Sequence, residues 1–230
     1  MKKKFSVEQI VSVLKQAEVG VPVADLRGSS GLGFTRYQIF ERYLNDGFHY
    51  DKDEFYLYAG WLKWLYLSGT LDQGSGVNYQ PAGALAPFTG NTIDGAFNMT
   101  LRPSHRLRLD EIYYYDRLKP ATLPVVYTDH FWRTKLNFQF TRPLSLRAIV
   151  DYYAVLPNAA LFQETPLKQL TGDILLTYMM NPGTALYIGY NNQHQNLATD
   201  PNSPTLAPIG PPGFLTNSQI FVKLSYQLRF

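Results

Sequence analysis

This sequence predicts an all-β fold: an antiparallel up-and-down barrel of about eight to ten strands, or the C-terminal part of one, behind a short helical segment. Three observations carry it. Hydrophobicity alternates with period two over most of the chain, the connections between alternating segments are short and long in turn, and the composition is aromatic-rich and charge-poor. Of 230 residues, 45% are hydrophobic, 15% aromatic and 17% charged, whereas an ordinary soluble domain carries roughly 25% charged residues. The absence of Cys excludes disulfide scaffolds, thiolate metal sites and a thiol nucleophile. A net charge of +3 is too small to indicate nucleic acid by itself.

The first residues read differently from the rest. Ser6-Val-Glu-Gln9 is a capping box, and Ile10, Val11, Val13, Leu14 and Ala17 recur at helical spacing up to Gly20. Pro22 then opens a second helical turn through Leu26. Residues 1–26 thus resemble the N-terminus of the small transposase subunit of a large family of two-frame bacterial insertion sequences. That family continues into a recognition helix, but here Arg27 to Gly33 forms a glycine- and serine-rich junction. With no reading helix to enter the major groove, DNA binding is not expected; a DNA-binding transposase-subunit fragment is the alternative functional reading. Met1-Lys-Lys-Lys4 is not followed by an apolar h-region, so no signal peptide is expected. The uncharged run Ile174 to Tyr190 is interrupted by Asn181-Pro-Gly183, so it is not a membrane-spanning helix.

Residues 34–230 read as strands. Two are expected within Phe34 to Gly60, one around Leu62 to Leu71, and seven from Thr92 to the C-terminus. Ile93, Gly95, Phe97, Met99 and Leu101 oppose Asp94, Asn98 and Thr100. Trp132, Leu136 and Phe138 oppose Arg133, Lys135, Asn137 and Gln139. Leu146, Ala148, Val150 and Tyr152 oppose Arg147, Ile149, Asp151 and Tyr153, and Gly172, Ile174, Leu176 and Tyr178 oppose Asp173, Leu175, Thr177 and Met179, while Leu186, Ile188 and Tyr190 share a face. Between Arg106 and Asp116, Leu107 and Leu109 fall on the same side as Glu111, so a bulge after Asp110 is expected to restore Ile112 and Tyr114 to the apolar face. Gly31-Leu-Gly33 and Gly74-Ser-Gly76 are expected as loop glycines, without the Gly-Lys-Ser/Thr ending of a phosphate cradle.

Pro103 to His105, Arg142 to Leu144 and Asn181 to Gly183 are turn-like links. Gln73 to Asn91, Arg117 to Pro124, Leu156 to Lys168 and Gln195 to Leu215 are longer. Short turns at one end and long loops at the other are a property of outer-membrane barrels. The last strand places Val222, Leu224, Tyr226, Leu228 and Phe230 on one face, ending the sequence on an aromatic. This pattern resembles the assembly signal of bacterial outer-membrane barrels.

The wording of RPLSLRAIVDYYAVLPN, DILLTYMMNPGTALYIGYNN and SQIFVKLSYQLRF resembles the end of a family of bacterial outer-membrane β-barrel proteins of unassigned function. In that family a signal peptide and a periplasmic carbohydrate-binding-like domain precede the barrel. The resemblance, over about residues 34–230, implies a non-enzymatic barrel with a pore, uptake or surface role. It also implies contact with outer-membrane lipid and with the barrel-insertion machinery through the C-terminal strand. Without an export signal, the sequence as written is expected to be a chimeric or truncated reading frame that stays cytoplasmic.

The polar residues Arg133, Lys135, Arg147, Asp151, Asp173, Lys223 and Arg229 form a mixed-sign set expected to face a lumen and to pair across strands. His49, His105, His130 and His194 lack metal-ligand spacing. Tyr113-Tyr114-Tyr115, Trp61, Trp64 and Tyr66 read as interfacial aromatics. Asp110-Glu111 and Asp129-His130 are neighbours on a strand and so point to opposite faces. No catalytic constellation, metal, cofactor or small-molecule ligand is indicated.

Overall fold

The computed structural model describes residues 30–43, 45–199 and 206–227. The helical segment read over residues 1–26, and Leu228, Arg229 and Phe230, lie outside the described residues. Ten long strands make one antiparallel sheet in chain order. They are β1 (Ser30–Tyr43), β2 (Asp46–Leu62), β3 (Leu65–Asn78), β4 (Phe88–Ser104), β5 (Leu107–Lys119), β6 (Tyr127–Gln139), β7 (Leu144–Pro157), β8 (Leu167–Asn181), β9 (Thr184–Gln195) and β12 (Phe214–Tyr226). The loop from β9 to β12 carries a small hairpin, β10 (Leu197–Thr199) paired with β11 (Leu206–Pro208). β1 and β12 are the two edges of the sheet.

Most strands are rich in β-branched and aromatic side chains, β3 with its three glycines being the poorest, and the turns are made by residues suited to them. Gly183, with φ 103°, supplies the left-handed step after Pro182 in the β8–β9 turn. The β6–β7 turn closes through Phe140 N–H to the Leu144 carbonyl (3.0 Å) and Leu144 N–H to the Thr141 carbonyl (3.2 Å). From β2 onward the connections alternate as the sequence suggests, short at one end of the sheet and long at the other. The β1–β2 turn departs from this, being tight at the long-loop end.

Two expectations are corrected. β5 pairs with β6 without interruption from Leu107 to Leu118, so there is no bulge after Asp110; the irregularity lies between Leu101 and Ser104. Glu111 therefore stays on the apolar face and Ile112 and Tyr114 on the polar one. The carboxylate is held where it falls by Trp132 Nε1–H (2.7 Å) and Thr134 Oγ1–H (2.7 Å), bonds that offset the cost of the unfavourable face.

The glycines expected in loops lie within strands, Gly31 and Gly33 in β1, Gly74 and Gly76 in β3. They are there because something else occupies the space of a side chain. A Cβ on Gly33 would sit 2.2 Å from the Tyr56 ring, and one on Gly74 would strike the Asp51 carbonyl oxygen at 2.2 Å. At the other edge Gly189 lies under Phe221, where a Cβ would meet the ring at 2.1 Å. Aromatic rings lying on glycines of a neighbouring strand fix the pairing register near both edges of the sheet.

The densest packing is at the long-loop end. Leu118, Val126, Leu161 and Phe162 form a buried cluster, joined by Phe88 and Tyr127. Leu161 and Phe162 come from the β7–β8 loop, which is tied back to the β3–β4 connection. Asn78 Nδ2–H donates to the Leu161 carbonyl (2.9 Å), Ala82 N–H to the same oxygen (3.2 Å), and Gln163 N–H to the Gln80 carbonyl (3.1 Å). Asn158 N–H adds a bond to the Val126 carbonyl (2.8 Å). Since Asn78, Phe88, Leu118 and Tyr127 share the face of Lys52 and Asp94, this loop lies over the polar side of the sheet.

Gly189→Val is expected to destabilise the β9–β12 pairing by about 1–3 kcal/mol through overpacking against Phe221. Gly213→Val meets no atom within 4 Å and is expected to be close to neutral. Urea denaturation of the two variants, with Gly189→Val/Phe221→Ala as the relieving pair, checks the difference.

Candidate functional site

Directly paired residues share a face, so the registers sort every strand side chain into one of two sets. Phe97, Tyr113, Trp132, Tyr152 and Leu170 stand in one cross-strand row, and Asn98, Ile112, Arg133, Asp151 and Thr171 in the next. The first set is mainly apolar and the second mainly polar; on β1 and β2 the first set also carries Arg36, Asp51 and Asp53, joined in ion pairs. Large side chains of the first set are exposed. Phe97, Trp132, Val150, Ile174 and Ile188 on the apolar face are 42–53% exposed, whereas Tyr50, Leu118, Ile149 and Val155 on the polar face are buried. The polar face is the one covered by the β7–β8 loop, and is the enclosed side of the sheet.

Six of the seven polar residues singled out from sequence, Arg133, Lys135, Arg147, Asp151, Asp173 and Lys223, stand on this enclosed face; Arg229 is outside the described residues. Arg133 and Asp151 are opposite one another and form a two-pronged bond, Nε–H to Oδ1 at 2.7 Å and the second nitrogen to Oδ2 at 2.6 Å. Asp173 accepts from Asn191 Nδ2–H. Gln169 Oε1 accepts from both Gln193 (3.2 Å) and Gln195 (3.1 Å), continuing an amide-rich strip on β8 and β9. Of the terminal-strand residues, Val222, Leu224 and Tyr226 lie on the apolar face in register with Ile188, Leu186 and Thr184; Leu228 and Phe230 are outside the described residues.

A feature missed by sequence reasoning crosses five strands. Glu54, Asp72, Asp94, Asp116 and Asp129 are consecutive direct partners on β2 to β6, forming a carboxylate row on the enclosed face. Lys52 on β2 reaches over β3 to this row, with Nζ 2.7 Å from Asp72 and 2.6 Å from Asp94. Gly74, opposite Lys52, leaves no side chain in that path. Tyr127 Oη–H donates to Asp116 Oδ2 at 3.2 Å. No local motif announces such a row, because each acid sits in a different strand and only the registers align them.

The arrangement does not converge on a metal. Among the described residues no group of three His, Cys, Asp or Glu side chains is placed to hold an ion, since acids on successive strands are spread along a line about 4.8 Å apart. The histidines stay separate: His49 stacks on Phe40 with ring centroids 4.5 Å apart, and His130 hydrogen-bonds with Tyr113 Oη at 2.9 Å. Asp110 and Glu111, and likewise Asp129 and His130, lie on opposite faces as expected. Trp61 and Trp64 are exposed at the short-turn end, Tyr113 and Tyr115 lie on the apolar face, and Tyr66 lines an open depression of about 390 Å³ on the polar face with Tyr56 and Tyr58.

Among the described residues no helix is long and apolar enough to cross a membrane. Comparison of the chain with protein-family models, with curated proteins and with solved structures returned no match.

Lys52→Met leaves Asp72 and Asp94 facing each other without their cation, and is expected to cost about 1–3 kcal/mol, less than for a fully buried pair. The triple variant Lys52→Met/Asp72→Asn/Asp94→Asn is expected to recover most of it. Urea-unfolding midpoints of the two variants provide the check.

Proposed function

We propose that this chain supplies the wall of a bacterial outer-membrane β-barrel, non-enzymatic, with its apolar face against lipid and its polar face turned to the interior. One observation carries the reading: on the interior strands large apolar side chains such as Leu57, Phe97, Trp132, Val150, Ile174 and Ile188 are the exposed ones, while Lys52, Asp72, Arg133 and Asp151 on the opposite face are only 16–22% exposed; on the edge strand β12 both faces are exposed. An exposed apolar surface of that extent needs an apolar environment, and alternation of apolar-out with polar-in is the arrangement by which strands cross a bilayer. Strand lengths of 12–17 residues exceed the about 9–11 that a tilted crossing requires. The tryptophans at the short-turn end suit a headgroup interface, and the polar face, with its ion pairs, amides and carboxylate row, suits a wet interior. The partners of this reading are outer-membrane lipid and the barrel-insertion machinery, the latter through the alternating C-terminal strand.

With an export signal fused ahead of the chain, single cysteines at Leu136, Ile174 and Ile188 are expected to react with a lipid-soluble reagent and to resist a water-soluble one. Cysteines at Lys135, Asn137 and Asp173 should do the reverse. Reversed reactivity would sink the assignment of faces. Ile174→Arg, near the middle of β8, is expected to cost about 2–4 kcal/mol in a bilayer, and Thr171→Arg on the other face much less; folding titrations in lipid vesicles read the difference.

Removal of Phe230 or Tyr226→Asp is expected to reduce membrane assembly, measured as the heat-modifiable fraction on a gel. Assembly indifferent to both changes would remove the reading of the last strand as a signal.

A further inference from the structure

The two edges of the sheet are long, and among the described residues neither is covered by another element. β1 runs 14 residues and β12 runs 13, and neither contains Pro; β1 carries Arg36, Glu41 and Arg42, and β12 carries Lys223 as its one charged side chain. Such an edge presents a row of main-chain N–H and C=O groups ready for pairing, and in a bilayer those groups must be satisfied by protein. Side chains on the apolar face report the same vacancy. Leu32, Phe34 and Phe40 on β1 and Ile220, Val222 and Leu224 on β12 are 55–86% exposed, against 42–49% for Ile174, Val150 and Ile188 on interior strands. The excess is the share a further strand would cover.

We infer that β1 and β12 are each other's partner, so that residues 30–227 close on themselves as a ten-stranded barrel rather than adding strands from elsewhere. The inference rests on the barrel reading and deepens it by naming the seam.

Direction permits the closure. Ten strands in strict up-and-down order leave the first and last antiparallel, and antiparallel edges pair directly.

Stagger permits it as well. Direct partners followed from Leu32, near the short-turn end of β1, lead through Phe97 and Trp132 to Leu215, near the long-loop end of β12. Rolling the sheet therefore brings Leu215 beside the far end of β1, and the two strands overlap over nearly their whole lengths. Side-chain alternation allows only even shifts, because an odd one would join the apolar face to the polar face. Counting down β12 past its irregularity at Leu215/Asn217, a shift of ten sets Phe40 opposite Ser218, and a shift of twelve sets Phe40 opposite Ile220. For ten strands these shifts give a tilt of about 35–40°, the range in which closed barrels are built. Closure in one chain also has the advantage of effective concentration over pairing with a second copy.

The full Cys-free chain provides the test, with Phe40→Cys combined in turn with Ser218→Cys, Ile220→Cys and, as the odd-register control, Gln219→Cys. Directly opposite strand residues lie within disulfide reach, while a residue on the other face does not. After oxidation, one of the two even pairs is expected to give on the order of tenfold more intrachain cross-linked monomer on a non-reducing gel than the control. A cross-linked dimer, equal linking by all three pairs, or no intrachain link would overturn the closure. Insertion is scored separately by protease protection in vesicles. Inserted protein without the link defeats the seam and leaves the membrane reading standing; the link formed in folded chain that does not insert establishes the seam and defeats the membrane reading.

Discussion

An antiparallel register that shifts only near strand ends is the constraint on which the rest of this structure depends. Because strand side chains alternate, a slip of one residue between any two neighbours would carry a whole strand's apolar set to the opposite face. Ten strands multiply that penalty, and the molecule pins the register with contacts that work in one alignment only. Near both edges, aromatic rings lie on glycines across the strand, Tyr56 on Gly33 and Phe221 on Gly189. On the polar face, Arg133 meets Asp151 in a two-pronged bond, and Lys52 crosses β3 through the gap at Gly74 to two carboxylates. A one-residue shift would cost each of these its partner.

From the register follows the division of faces, and from that the unusual distribution of polarity. Ordinarily the hydrophobic effect sends the apolar face of a sheet inward. Here the polar face receives the β7–β8 loop, the buried cluster and the carboxylate row, while phenylalanine, isoleucine and tryptophan look outward. Cross-strand ion pairs, amide bonds and the Tyr127 hydroxyl satisfy part of the charge on the enclosed face, while Asp72 Oδ1 and Asp116 Oδ1 in the carboxylate row are buried without a hydrogen-bond partner among the described residues. An exposed apolar surface of this extent is the observation on which the proposed membrane reading rests.

The long-loop end and the short-turn end do different work. Short turns leave no chain to spare and only return the strand. Long loops supply residues that fold back over the polar face, so the buried cluster joins Val126, Leu161 and Phe162 from connections to Leu118, Phe88 and Tyr127 at the strand ends. The ties between Asn78, Ala82 and Gln80 on one side and Leu161 and Gln163 on the other join segments about eighty residues apart in sequence, and they resist flattening of the sheet between them.

About eight to ten strands, most of their alternation, the faces of Arg133, Lys135, Asp151 and Asp173 and, from β2 onward, the placing of short and long connections were legible in the sequence alone. Each is a local property, readable within a strand or a turn. What only the tertiary structure decided were quantities summed over many pairings. Glu111 looked misplaced enough to call for a bulge, yet β5 runs straight because Trp132 and Thr134 on β6 hold the carboxylate. The Gly-x-Gly sequences read as loops, yet they lie in strands because neighbouring rings and backbone take the space of a side chain. The row from Glu54 to Asp129 has no signature in any one segment, since five separate registers must be known before five acids become neighbours. Periodicity tells which face a residue takes; only the accumulated register tells whom it meets there.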